Sequence, residues 1–516
     1  MNICYQYLRT QGEKTPDKTA VICAGDRVSY SVLNKMTDAA AAGFGGMGIK
    51  AGSRVAILSR NSLNVVVCIY ALWKQGACAV PVNFRENPAG IALMLNIACP
   101  DAVICADSEL DTLKRALEIS GKTPKVITET PQGMAADMQT ILRDNTSAPA
   151  EDVPAADAAL YIFTSGTMGA PKAAVHSSAA LAEFSLQCMA HGDLYMADDV
   201  FLSYSPLCHI GGIRILLGNL MCGATLVLAA AFRPEKVLET IERERVTQMF
   251  VIPPALVTRL RDIPREARSG LKSVRRIRIS GGLCSESAVD TIFELFPQAR
   301  LISGYGSSEG MASLFNVFDR DAYERDPSIV RSVGYPLAGN ELLLLDESNQ
   351  PVLMPGEVGR LYGKCPYMFS HYQTQDGAVS HGEWCDTGDM FYFDAQGRYF
   401  FKDRKKNVIK TGGENVFAAE VESVLNAMPE IQECAVFGIP NDMLGEAISA
   451  AIVFRSGMST DAKHIIEFCR ENMASYKKPV RIYFMPELPK TATGKVCKYK
   501  LRDMAVSGKI VSEKLC

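Results

Sequence analysis

Short apolar strands alternate with amphipathic helices along the N-terminal part of this chain, and that rhythm restricts the fold more than any other feature. RVAIL at Arg54–Leu58 reads as a strand, 62–74 as a helix with a polar start, 79–82 as a strand, 87–98 as a helix and 101–105 as a strand. Val200–Ser203, Thr225–Leu228, 249–252, 276–280 and 301–303 continue it. Repeated strand–helix–strand units predict parallel sheet and an α/β class. At 516 residues the chain is too long for one core, so several packing units are expected. The style changes after about Gly334. Segments 341–346, 356–362 and 398–402 read as strands of a more antiparallel section, with turn residues at 349–351 and 394–397. A charged break, DRKK at 403–406, precedes a helix over 418–428 and then strand, helix and strand to about Met485. This last part is large enough for a small α+β domain. Its boundary falls in charged residues rather than a Gly/Ser tract, which predicts a hinge and not a loose tether.

Composition removes several function classes. Hydrophobic residues make up 48% and charged residues 22%, with a net charge of −3 and no basic stripe, so nucleic acid is not an expected partner. RRIR at 275–278 is the densest basic cluster and is expected to flank a buried strand. The sixteen cysteines form no C-x-x-C pair and no zinc-spaced cluster. They read as reduced, mostly buried small hydrophobes in a cytoplasmic protein. Cys208 adjoins His209, yet no activating arrangement is visible and packing is the expected role. No secretory leader is expected from the first residues, and the apolar runs at 65–73 and 226–232 are too short for a transmembrane segment.

The chemistry concentrates in a few segments. TSGTMGAPK at 164–172 follows the apolar run 158–163. Small residues let backbone N–H groups approach an anion, hydroxyls add donors and the lysine adds a point charge, which together suit a polyphosphate. It is not a Walker loop, because no Gly-Lys-Ser/Thr follows the glycines. GYGSSE at 304–309 ends in a carboxylate that could hold Mg²⁺. DTGD at 386–389 reads as a turn presenting an acid. GGEN at 412–415 runs toward a helix, and PKTATGK closes the series at 489–495.

In this order and spacing the segments resemble the adenylate-forming superfamily of acyl-CoA synthetases, peptide-synthetase adenylation domains and beetle luciferases, over about Val28 to Leu501. The resemblance implies a large N-terminal AMP-binding domain (1–404) with two βα-built sheets and a small distorted β-barrel, and a small mobile α+β lid domain (405–516). It also implies site roles. Thr164, Ser165, Gly166, Thr167, Gly169 and Lys172 match the phosphate loop. Gly281 and Gly282 match the adenine-lining segment. Tyr305 is expected to stack on adenine, beside Gly306, and Ser308 to reach a phosphate. Glu309 is expected to bind Mg²⁺, while Asp389 and Arg404 contact the ribose. Lys406 matches the hinge, Gly412 and Gly413 the loop near pantetheine, and Lys495 the mobile catalytic lysine. His209 matches the mouth of the acyl pocket, where Gly304 is expected to leave space.

The chain departs from the family pattern in three places. Met168 replaces a common threonine, Ser308 stands where threonine is commoner, and Ala173 replaces a frequent glycine, which matters only if that position needs positive φ. The implied reaction joins a carboxylic acid to CoA at the expense of ATP. A free-standing enzyme that loads an acyl carrier protein is the alternative, with a luciferase-like monooxygenase or a non-catalytic nucleotide sensor behind it. No aspartate is placed to hold an amino group, which favours an apolar acid (fatty, aryl or steroidal), with a crotonobetaine-like acid or a dicarboxylate still open. The sequence leaves a homo-oligomer open as well.

Overall fold

The computed structural model describes residues 2–133, 136–144, 157–165, 171–251, 260, 271–280, 286–490 and 496–514, with Ser165 and Lys514 by their backbone alone. They form two compact units. The first comprises Met1–Leu342 with Tyr362–Cys385, and the second Leu343–Leu361 with Asp386–Cys516.

The first unit is built on two sheets. One runs Ser332–Pro336, Leu314–Phe318, Arg300–Tyr305, Arg276–Ile279, Gln248–Val251, Val200–Ser203, Thr225–Leu228, Thr19–Cys23 and Asp26–Ser29. It is parallel from Arg300–Tyr305 to Thr19–Cys23 and antiparallel at both margins. The other runs Gly377–Val379, His371–Thr374, Pro171–His176, Leu160–Ser165, Cys78–Val82, Arg54–Leu58, Ala102–Cys105, Lys125–Thr128 and Ala136–Asp137. The expected βα sheets are therefore present, and Arg54–Leu58, Val200–Ser203 and Thr225–Leu228 fall where the pattern put them.

The local reasons are ordinary. Ser62 caps helix Leu63–Lys74 by accepting from the Val65 amide, and Asn87 caps Pro88–Ala98 by accepting from the Gly90 amide. Helix Leu63–Lys74 is buried all round from Val65 onward, so it packs as an inner helix. RRIR lies mostly inside the buried strand Arg276–Ile279, with only Arg275 flanking it: Arg276 meets Asp199 at 2.5 Å and Arg275 meets Asp198 at 2.9 Å. Ala173 sits in a regular ladder opposite Phe163 and not at positive φ, so the missing glycine costs no strain. Fourteen cysteines among the described residues are free, and burial pushes the Cys208 thiol up to about 12, which fits packing rather than nucleophilic work.

Close approach decides one glycine. A Cβ on Gly363 would collide with the Met311 carbonyl oxygen, just beyond Glu309. Gly363→Ala is expected to destabilise the fold by about 2–3 kcal/mol, the usual cost of overpacking. A urea midpoint equal to that of the parent would contradict this.

In the second unit, hairpin Val408–Thr411/Glu414–Phe417 joins the long antiparallel pair Ile431–Asn441 and Gly445–Phe454, with Arg481–Phe484 and Glu513–Lys514 beyond. Alternation along Ile431–Asn441 sends Val436 toward helices Ala418–Leu425 and Ala462–Asn472, and Phe437 toward helix Lys498–Val506. The two faces thus bury separate apolar clusters. Strands Cys385–Phe393 and Tyr399–Arg404 pair antiparallel in the same unit.

Candidate active site

Strands Leu160–Ser165 and Pro171–His176 pair antiparallel up to Thr164↔Lys172 and Ser165↔Pro171, so the 164–172 motif is delivered by a hairpin. The Thr164 hydroxyl donates to the Lys172 carbonyl at 3.5 Å. Gly166, Thr167 and Gly169 lie outside the described residues, as do Gly281, Gly282 and Lys495.

Around Lys172 the first unit assembles a charged triplet. The Lys172 ammonium stands 3.3 Å from the centroid of the Tyr372 ring, and the Tyr372 hydroxyl donates to Glu309 Oε1 at 2.8 Å. Burial lowers the Lys172 pKa, and the charge of Glu309 partly offsets that. Burial and then the Glu309 charge raise the Tyr372 phenol, which keeps it a protonated donor. Strand His371–Thr374 brings Tyr372 here by pairing with Pro171–His176, Tyr372 opposite Ala174. The Phe369 amide also donates to the Glu309 carbonyl at 2.9 Å. The carboxylate is thereby held by its side chain and by its backbone.

Ser308 is fixed from behind. His176 is fully buried, and its Nε2 lies 2.8 Å from the Ser308 carbonyl, which can only accept, so Nε2 carries the proton. Burial, then the nearby Arg214 charge, pushes the His176 pKa down to about 3, so the ring is neutral and structural. Tyr305 ends strand Arg300–Tyr305 and is partly exposed. At Gly306 an added Cβ would find nothing nearer than 3.9 Å, whereas at Gly304 it would meet the Phe315 ring at 3.0 Å. Gly304 therefore makes room for Phe315, and the open space lies at Gly306. His209 occupies the N-cap position of helix Ile210–Cys222.

In the second unit Asp389 faces Arg404 across the ladder Cys385–Phe393/Tyr399–Arg404, with Arg404 Nε 3.5 Å from Asp389 Oδ1. Asp389 is buried and Arg404 half-exposed. DTGD is not a free turn as the sequence reads. It lies inside strand Cys385–Phe393, where Gly388 takes φ +73° and the Asp386 side chain accepts from its amide. Asp403 accepts from the Arg404 and Ala419 amides at 2.7 Å each and from Asn407 Nδ2 at 3.1 Å, pinning the short 3₁₀ turn Lys405–Asn407 that contains Lys406. Burial, then the Arg404 charge, lowers the Lys406 pKa. Gly412 and Gly413 form the two-residue turn of the hairpin Val408–Thr411/Glu414–Phe417, both at positive φ, so GGEN leads into a strand before the helix. Lys490 and Val496 pair across the segment that contains Lys495.

The family model for AMP-binding enzymes matches residues 8–373, and that for the AMP-binding enzyme C-terminal domain matches 420–495. The chain belongs to the AMP-binding enzyme family. This AMP-binding enzyme is 30% identical to an indoleacetate–CoA ligase of Aromatoleum aromaticum, over 95% of each chain. It is 29% identical to a feruloyl-CoA synthase of an Amycolatopsis species, over 95% of this chain and 96% of that one. An amide bond synthetase from Marinactinospora thermotolerans superposes with a TM-score of 0.84 at 28% identity, over 97% of this chain and 99% of that one. As a family member the chain is an AMP-forming acid–thiol ligase. Among the described residues, no helix of the AMP-binding enzyme is long and apolar enough to cross a membrane.

The sequence reading missed Tyr372 and His176, and it holds Asp403 only as the first residue of the charged break DRKK. Tyr372 and His176 lie in no motif, and each reaches the site residues only through strand pairing or burial. Tyr372→Phe keeps the ring under Lys172 and removes the hydrogen bond to Glu309. Loss of a bond to a charged acceptor is worth roughly 1.5–3 kcal/mol, so adenylation should fall about 10- to 100-fold. Unchanged pyrophosphate release in this variant would rule out the orienting role.

Proposed function

We propose that the chain activates a carboxylic acid with ATP and passes the acyl group to CoA. The observation that carries this is the Lys172–Tyr372–Glu309 triplet beside the hairpin of the 164–172 loop, in an AMP-binding enzyme whose two relatives above are a CoA ligase and a CoA synthase. A carboxylate oxygen attacks the α-phosphorus of ATP and pyrophosphate leaves. The CoA thiol then attacks the acyl carbon and AMP leaves with the electron pair of the broken C–O bond.

In this reading Thr164, Ser165, Gly166, Thr167, Gly169 and Lys172 hold the phosphates, with Ser308. Gly281, Gly282 and Tyr305 hold the adenine, and Asp389 and Arg404 the ribose. Among the described residues no three His, Cys, Asp or Glu converge as a metal cluster. One anchored carboxylate suits Mg²⁺, which takes its remaining oxygens from phosphate and water, so Glu309 fits as its protein ligand. The ion would neutralise charge on the phosphates. Lys495 serves the first half-reaction, and Gly412–Gly413 serve the second after the small domain, residues 405–516, pivots about Lys406. His209 borders the acid.

The test is AMP and pyrophosphate release across a panel of carboxylic acids, with and without CoA. AMP formation that depends on both an acid and CoA supports the proposal. Release without any stable acceptor product from CoA, but with an amine or a carrier protein, would transfer the reading to amide or carrier acylation. The amine case is worth an arm because an amide bond synthetase shares the fold over nearly the whole chain.

A further inference from the structure

Among its described residues the first unit buries a cation that is paired with no anion. Arg214 lies on helix Ile210–Cys222 and is only 7% exposed. Among the described residues its guanidinium makes no hydrogen bond and no ion pair, and its Nε is a buried donor without an acceptor. It rests against Phe184, with Cζ 3.7 Å from the ring centroid. The ionisable groups that interact with it electrostatically are Cys188, Cys365, Tyr367, Tyr195 and His176, with no carboxylate among them. Two other buried cations in the unit are matched, Lys74 with Asp38 at 2.6 Å and Arg276 with Asp199 at 2.5 Å, whereas buried Arg278 lies over the Tyr195 ring at 4.2 Å. Arginine stays charged when buried, so the Nε donor awaits an acceptor that the described residues do not supply.

Its position says which ligand could supply one. The helix begins after His209, and Arg214 Nη2 reaches to 2.5 Å from the place a Cβ on Gly310 would occupy, directly after Glu309. The guanidinium therefore lies between the helix that carries the acid-side residues and the end of the 304–309 segment. A Cβ on Gly211, one turn earlier on the same helix face, would meet nothing within 4 Å. Helical side chains lean toward the N-terminus, which tilts Arg214 toward that opening. Aromatic rings and thiols surround the charge, a lining suited to a hydrocarbon body with one fixed polar end.

We infer that Arg214 selects an acid bearing a second carboxylate at its far end, held by the guanidinium while the first carboxylate reacts. The inference rests on the acid-activating reading above and deepens it by naming the substrate class: a dicarboxylic acid with an apolar or aryl spacer. A carboxylate matches the planar fork of arginine with two parallel hydrogen bonds. An acid ending in methyl or phenyl leaves those donors unpaired, and sites built to bond a polar group reject analogues lacking it by large factors.

The experiment uses the full chain and matched acids: pimelate against heptanoate, 3-(4-carboxyphenyl)propanoate against 3-phenylpropanoate, and the distal methyl ester of each diacid. CoA-dependent pyrophosphate release is read for the parent, Arg214→Met and Arg214→Lys. The parent is expected to favour at least one diacid over its neutral partners by about 10²-fold or more in kcat/KM. Arg214→Met should lose that preference through KM while keeping the neutral acids, and Arg214→Lys should retain part of it. Thermal-shift titration of the parent with the same acids repeats the comparison without any variant, with selective stabilisation by a diacid expected. Preference of the parent for neutral acids, equal use of diacid and ester, or equal loss of both acids in Arg214→Met would overturn the inference and leave the ligase reading standing. No pyrophosphate release with any acid would overturn both.

Discussion

Lys495→Ala is expected to lower adenylation by about 10²–10³-fold while leaving acyl transfer from supplied acyl-adenylate to CoA near the parent rate. Charge builds on phosphoryl oxygens as the carboxylate attacks phosphorus, and the enzyme contributes mainly positioning and positive potential. Removing one preorganised donor to a developing anion costs a factor of that size. The second half-reaction has a different leaving group, AMP, and begins after pyrophosphate has gone, so a donor needed only for the first step should be dispensable in the second. The measurement is a pair of single-turnover assays, one following pyrophosphate and one following acyl-CoA from synthetic adenylate. Equal loss in both assays would show that Lys495 does not discriminate between the steps and would remove it from the proposed role.

Glu309→Gln is expected to lower adenylation by a similar 10²–10³-fold and to raise the Mg²⁺ concentration needed for half-maximal rate. The amide is nearly isosteric and can still accept from Tyr372, so the triplet should keep its shape. What disappears is the charge. Two consequences follow from the geometry. The proposed metal loses its carboxylate ligand. Lys172, whose pKa burial already lowers and the Glu309 charge partly restores, loses that support and sheds its proton more easily. The activity of the variant should therefore fall off at the alkaline end at a lower pH than that of the parent. An unchanged Mg²⁺ requirement, with rate lost only through weaker ATP binding, would move Glu309 from metal ligand to simple phosphate-site scaffold.

Much of the architecture was readable because its signals are local. Ser62 and Asn87 announce helix starts, RVAIL at Arg54–Leu58 reads as a strand, and the alternation of the two predicts parallel pairing. The motif segments were readable for the same reason, since a loop that cradles phosphate must place small residues, hydroxyls and a lysine within a few positions. Two local readings missed. DTGD looked like a free turn but lies in strand Cys385–Phe393, where a single glycine at positive φ kinks the strand without ending it. GGEN looked like a lead into a helix but turns a hairpin first, because two adjacent glycines can both take positive φ and close strands at Thr411↔Glu414.

The class of fold, the family and the ordered set of segments that carry the chemistry are legible along the chain, because all of them are properties of neighbouring residues. It took packing to show that Tyr372 joins Lys172 to Glu309, that a neutral His176 braces Ser308, and that Arg214 is shut in without a counter-ion among the described residues. Those facts depend on which distant strands pair and on how much water each charge keeps. Neither quantity is written in the spacing of residues along a chain, because burial and partnership arise only when segments hundreds of positions apart are packed together.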